Sequence, residues 1–182
     1  MIEYLDLLEY TLVNGVRSES RAGSCIKIFD WKLKFNMEDG FPIVTSKYVN
    51  YPAVVDELLW FLSGSTNIKD LKFTKIWDDW ADANGNLGPI YSHQWRNLEE
   101  DQIAELLHNI ILYPESRRLV VSAWNVDQLK HMSLMPCHYS FECFVSEGCL
   151  DLKWHQRSVD LMLGLPFNIA SCYITAYVGQ SC

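Results

Sequence analysis

The densest chemistry in the chain lies around Cys137. Ser146, Glu147 and Gly148 join two strand-like runs, 139–145 and 149–157. A hairpin loop there fixes which residues face each other across the pair. A three-residue loop sets Cys137 opposite Arg157, and a two-residue loop at Glu147–Gly148 sets it opposite Ser158. Either way Cys137 and Arg157 are predicted neighbours. A cation beside a thiol favours the thiolate, which is the nucleophilic form. Gln156, Arg157, Ser158 and Asp160 form a polar set just outside the apolar run, and His138 follows the cysteine directly. The alternative is a buried cysteine at a strand end, an ordinary place for a free thiol.

Glu57 is the second candidate. On a helix its neighbours include Val54 and Phe61, and it precedes the run Leu58-Leu59-Trp60-Phe61-Leu62. A carboxylate in such company is paired, partly protonated, or on a solvent-facing strip beside Asp56. Partial protonation near neutral pH suits general acid/base chemistry. Arg117 and Arg118 open a strand, where adjacent side chains point to opposite faces. They suit surface ion pairs, or the forked recognition of phosphate. Arg21, in Ser20-Arg21-Ala22-Gly23-Ser24, sits in a segment able to wrap an anion or to be only a loop. Trp77 and Trp80, in Trp77-Asp78-Asp79-Trp80, are either core or a stacking wall for a flat ligand.

Elements must hold these groups in place. Residues 2–14 are predicted helical, with an apolar stripe at Ile2, Leu5, Leu8 and Leu12 and a stop at Gly15. Residues 25–35 alternate like a strand. Their phase flips at Phe29–Asp30, which implies a bulge or turn. Pro52 and Gly64 bracket a helix over 53–63. Residues 101–112 and 167–178 read as helices, and 119–124 reads as a strand. Strands and helices intermix without strict alternation, which points to a mixed sheet with helices packed on one side.

Composition narrows the classes. With 182 residues, 49% apolar and 21% charged, the chain is long and apolar enough for one domain with a real core, and disorder is excluded. The formal net charge of −8 makes it a poor general binder of nucleic acid or of anionic membrane. Any anion must therefore meet a local basic cluster. The six cysteines contain no C-x-x-C pair, and no basic n-region opens the chain, so a reducing, cytoplasmic setting without a signal peptide is expected. Residues 161–182 are uncharged. Gly164, Pro166, Asn168, Ser171, Thr175 and Gln180 make that stretch too polar and interrupted to span a bilayer, so no membrane is expected.

Eight stretches resemble the thymidylate synthase family, in the family's order: GFPIVTSK (40–47), DELLWFLSGSTNI (56–68), IWDDWAD (76–82), LGPIYSHQWR (87–96), DQI (101–103), PESRRLVVSAWNV (114–126), LMPCH (134–138) and QRSVDLMLGLPFNIAS (156–171). The resemblance implies an α+β fold with a large mixed β-sheet and helices on one side, in a single domain over 1–182. It implies a chain that stops short of the family's C-terminal part, where a His and a Tyr hold deoxyribose and a tail closes over folate. The implied reaction is reductive methylation of dUMP to dTMP, with 5,10-methylenetetrahydrofolate as co-substrate and no metal. The alternatives are a dUMP hydroxymethylase, or an inactive or split fragment.

Site roles follow from the same resemblance. Cys137 is the nucleophile, Glu57 the acid/base, and Tyr91 and Gln156 support the nucleophile's surroundings. Arg21, Arg157 and Ser158 hold phosphate. Arg117 and Arg118 reach the partner's phosphate across a homodimer interface. Asp160 meets the pterin, Trp77 and Trp80 line the folate side, and His138 belongs to the water network near the pyrimidine. Asn168 reads the pyrimidine edge, since an amide donates to O4 and accepts from N3–H of uracil; its bland alternative is a helix cap. The chain departs from the family pattern at Ala22, Asp30, Ser92, Glu142, His155 and Cys172. Glu142 is the notable one, because an unpaired charge near the site or the sheet interface would be costly.

Overall fold

A computed structural model describes residues 1–20 and 23–180. The first helix, α1 (Ile2–Asn14), ends at Gly15, whose N–H donates to Thr11 O at 2.9 Å. Its buried stripe differs from the expected one. Tyr4, Leu7 and Thr11 face inward, while Ile2, Leu5 and Leu12 are exposed, Leu12 by 70%. Both stripes have helical spacing. The choice is made by Tyr4, whose ring packs with Leu7, Val44, Leu165 and Ile169 while its hydroxyl donates to Leu161 O at 2.8 Å.

Strands β1 (Val16–Ser20) and β2 (Gly23–Lys27) form an antiparallel pair. The strand expected to run on to 35 stops at Lys27. Leu33 and Phe35 leave the ladder to pack against the Tyr4 cluster, and Trp31 rests against the Tyr10 ring. The phase flip thus marks the end of the strand, not a bulge within it.

Helix α2 (Tyr51–Ser63) is capped by the Asn50 side chain, carries Pro52 in its first turn and stops at Gly64 in the left-handed conformation, φ 79°. Two further helices follow, α3 (Tyr91–Arg96) and α4 (Gln102–Leu112), the latter capped by the Asp101 carboxylate on the Ala104 N–H. Next come β3 (Val120–Ser122), β4 (His138–Ser146), β5 (Cys149–Gln156) and helix α5 (Leu165–Gln180). The α+β class is the expected one. The expected large mixed sheet narrows, among the described residues, to a three-stranded antiparallel sheet in the order β3-β4-β5. Its β4–β5 pair is joined by a tight hairpin, which can only be antiparallel.

Phe141, Cys143, Val145, Leu152 and Trp154 turn the inner face of this sheet onto Ile103 and Leu106 of α4, Ile174 of α5, and the aromatic core of Trp60, Phe61, Trp77, Tyr91 and Trp95. Helices thus lie against one face. The outer face carries Ser140, Glu142, Phe144, Lys153 and His155 at paired positions, and Phe144 is 62% exposed.

The hairpin loop has two residues, Glu147 and Gly148, both at positive φ (51° and 77°), as a primed turn requires. Pairing runs from Ser146–Cys149 to Ser140–His155. A bulge between His138 and Ser140 then moves the register by one, so His138 faces Gln156 and the Arg157 N–H donates to Cys137 O at 2.9 Å. The two-residue loop alone would have set Cys137 opposite Ser158; the bulge restores Arg157.

The segment leading to Cys137 is seated on Leu87 and Gly88. Ser133 donates to Leu87 O from both its N–H (3.0 Å) and its hydroxyl (2.7 Å). Gly88 holds φ 73°, and a Cβ there would overlap the His131 carbonyl oxygen. Gly88→Ala is therefore expected to destabilise the fold by more than about 2 kcal/mol, through backbone strain and displacement of the 131–133 segment. Urea unfolding of the two proteins measures it; equal midpoints would show that this close approach is not needed.

Candidate active site

Cys137 is held on both sides of its peptide. Its N–H donates to Tyr91 Oη at 2.7 Å, and its carbonyl accepts the Arg157 N–H. Tyr91 begins α3 and is buried, with its ring stacked on the His138 imidazole at a centroid separation of 4.1 Å. The Arg157 guanidinium returns to the same loop: Nε donates to Pro136 O at 2.8 Å and Nη2 to Met135 O at 3.0 Å. Three consecutive residues, Met135-Pro136-Cys137, are thus fixed by one tyrosine and one arginine.

Glu57 sits on α2, half-buried, and its Oε1 accepts the Trp77 Nε1–H at 2.7 Å. Burial pushes its carboxyl up to about 7; the Trp77 hydrogen bond pulls it down and the Asp56 charge adds to the rise. Of the options open from sequence, pairing and partial protonation both hold. Trp77 is core: buried among Trp60, Phe61 and Tyr91, it spends its one donor on Glu57. Trp80 is partly exposed in the 78–80 turn.

The Tyr91 hydroxyl reports how these groups converge. Burial raises its pKa well above the ordinary phenol range, the charges of Cys137 and Glu57 raise it further, and the Cys137 N–H and the Arg157 charge oppose the rise. His138 is buried, and burial pushes its imidazole down to about 3, so it is neutral. Its Nε2 has no protein partner among the described residues.

Asn168 lies in the first turn of α5 but does not cap it; its own N–H donates to Gly164 O. Its Oδ1 accepts Gln156 Nε2 at 2.9 Å, and among the described residues the Asn168 amide N–H groups and an oxygen lone pair take no other bond. Ser158 is exposed beside Arg157. Asp160 is exposed, and its Oδ1 accepts the Met162 and Leu163 N–H groups at 2.8 and 2.7 Å, which shapes the turn into α5. It makes no hydrogen bond to Cys137 or Tyr91. Arg117 and Arg118 are exposed and form no ion pair among the described residues. Arg21 lies outside the described residues.

Glu142 is not unpaired. Its Oε1 accepts from Lys153 Nζ at 2.8 Å and lies 3.3 Å from His155 Nε2, and the Lys153 hydrogen bond, then that of His155, hold its carboxyl below the usual range. Two departures from the family pattern, Glu142 and His155, therefore meet each other. Ser92, another departure, is fully buried.

Sequence reasoning missed Gln94. Fully buried in α3, it donates from Nε2 to Pro89 O (2.8 Å) and Gln128 Oε1 (2.6 Å), and accepts from Asn125 Nδ2 (3.2 Å). It ties the start of the loop that leads to Cys137 to the helix that carries Tyr91. It leaves little trace in the sequence, because Gln94 follows two other polar residues, Ser92 and His93, between Tyr91 and Trp95.

The family model described as thymidylate synthase matches residues 2–182. The crystal structure of thymidylate synthase from T4 phage superposes with a TM-score of 0.92 at 41% identity, over 98% of this chain and 69% of that one. The chain belongs to the thymidylate synthase family. Thymidylate synthases are methyltransferases, and the α+β architecture described above is that of the family.

Glu57 yields a stability prediction. Because its folded-state pKa is raised, the folded protein holds this proton more tightly than the unfolded chain does. That contribution is present at low pH and is lost as pH rises from the ordinary carboxylate range through about 7. In Glu57→Gln the loss is absent, so wild-type stability falls relative to the variant across this window. Trp77→Phe, which removes the hydrogen bond that lowers the pKa, moves the window to higher pH. Unfolding free energies measured by denaturant at a series of pH values test both; parallel curves for wild type and Glu57→Gln would contradict the assignment.

Proposed function

We propose that the chain methylates dUMP to dTMP, with Cys137 adding through sulfur to C6 of the uracil. The observation that carries this is the clasped Cys137 peptide, with the Glu57 carboxyl poised near neutrality within the electrostatic reach of the same tyrosine. Addition at C6 pushes electron density to C5 and makes a poor carbon nucleophile reactive. 5,10-methylenetetrahydrofolate supplies the one-carbon unit and the hydride. Glu57, half-protonated near pH 7, gives and takes protons through water during that transfer and at the pyrimidine. Tyr91 fixes the thiol's backbone, and Gln156 orients the Asn168 amide.

Asn168 then donates to O4 and accepts from N3–H. Arg157, Ser158 and Arg21 bind the phosphate. The partner subunit's Arg117 and the partner subunit's Arg118 complete that site in a homodimer. Exposure of Arg117 and Arg118, and of the apolar Val120 and Phe144 on the outer sheet face, supports this assembly. The folate side fits the residues present: Trp80 offers a partly exposed ring close in sequence to Trp77, which holds Glu57, and a pterin is flat and polar at its edges. Asp160 would meet that edge. His138, neutral with its Nε2 unpartnered, would bind a water beside the pyrimidine. The protein would act in the cytoplasm, with neither nucleic acid nor membrane as partner. No described helix is long and apolar enough to cross a bilayer, and no described group of three His, Cys, Asp or Glu side chains could hold a metal.

Cys137→Ser tests the mechanism. Wild type is expected to form a covalent complex with 5-fluoro-dUMP and methylenetetrahydrofolate, visible as a mass increase under denaturing conditions, and Cys137→Ser is expected to form none. An adduct on the variant would place the nucleophile elsewhere. Asn168→Asp tests base reading: the ratio of dCMP to dUMP affinity should rise by about tenfold or more, because a carboxylate accepts from the cytosine amino group and repels the uracil O4. An unchanged ratio, measured by calorimetry, would remove Asn168 from the pyrimidine.

A further inference from the structure

Arg157 is exposed, yet its side chain is restrained on three sides. Nε and Nη2 donate to Pro136 O and Met135 O, and Cζ lies 5.5 Å from the centroid of the Trp124 ring. Trp124 follows β3 directly and is itself held in place: its N–H donates to Ser122 Oγ at 3.2 Å, and its ring meets Tyr139 edge-to-face at 6.3 Å. We propose that Trp124 is a positioning residue for phosphate recognition, an indole platform that fixes the Arg157 guanidinium so that its uncommitted N–H groups meet the dianion in a set orientation. This rests on the reading that Arg157 binds the nucleotide's phosphate.

The physical case is one of ordering. A guanidinium carries five N–H donors. Two bonds here go to backbone carbonyls, and no carboxylate neutralises the charge among the described residues. Hydrogen bonds at one edge leave the plane free to tilt; a π face against the plane removes that freedom and attracts the cation. An arginine ordered before the ligand arrives does not lose that side-chain entropy on binding. Trp124 needs no contact with the nucleotide to do this.

The experiment is calorimetric binding of three probes, dUMP, deoxyuridine and inorganic phosphate, to wild type, Trp124→Leu and Trp124→Phe. Trp124→Leu is expected to weaken dUMP and phosphate about three- to tenfold and to leave deoxyuridine unchanged. Trp124→Phe, which keeps a π face, is expected to recover most of that loss even if both variants melt at the same lowered temperature. Equal weakening of deoxyuridine, unchanged phosphate affinity in Trp124→Leu, or no recovery in Trp124→Phe would each overturn the inference while leaving the phosphate role of Arg157 standing. Absence of dUMP and phosphate binding in wild type would overturn the inference and the phosphate reading together.

Discussion

The site depends on the two hydrogen bonds made by the Cys137 peptide. Backbone anchoring holds a residue in place through its peptide without using its side chain, which is what the proposed role of Cys137 as nucleophile requires. The two anchors come from distant parts of the chain: Tyr91 from the start of α3, Arg157 from just beyond β5. Tyr91 is in turn packed by Phe61 of α2 and stacked on His138 of β4. The aromatic core thus sets the position of the Cys137 backbone as well as supplying hydrophobic stability.

Charge is distributed to the same end. The chain carries a net −8, but Arg157 spends its bonds on carbonyl oxygens, and among the described residues no acid pairs with Arg117 or Arg118. Cations left without internal counter-ions create local positive potential on an acidic protein, which is the condition for attracting a phosphate dianion. Glu57 avoids opposing that field by being half-protonated near neutrality, a consequence of its burial on an apolar helix. On the outer sheet face the opposite strategy appears, with Glu142 fully engaged by Lys153 and His155.

Much of this was legible from residues alone. The helices bracketed by Gly15, Pro52 and Gly64, and by Asp101, formed within a residue or two of their signals, because caps and breakers act locally. Hairpin geometry placed Cys137 beside Arg157. The bulge that makes them true partners left no trace in the residues; in the structure it lies where His138 packs on the Trp154 ring. The buried face of α1 was misphased because two stripes had equal periodicity and only a tertiary contact, Tyr4 to Leu161, separates them. Strand alternation past Lys27 misled for a similar reason: Leu33 and Phe35 are apolar for a loop-borne cluster. Asp160 stood in the polar set by type, and the sequence around it did not show that one carboxylate oxygen, Oδ1, would accept two backbone N–H groups of the turn. Gln94 and Trp124 were invisible because the partners that matter, the side-chain amides of Asn125 and Gln128 and the guanidinium of Arg157, are far away in sequence.

The bulge in β4 carries a further consequence. His138 and Phe141 both face the core, although an odd separation of three along a regular strand sends side chains to opposite sides. The irregularity between His138 and Ser140 works as a phase shifter that divides one strand into two frames. Both halves therefore present side chains to the same aromatic core, His138 from the half next to Cys137 and Phe141, Cys143 and Val145 from the half next to the hairpin. Drift on one side of the shifter is therefore insulated from the other. Glu142 and its partners Lys153 and His155 accordingly meet on the outer surface, on the far side of the shifter from Cys137 and His138.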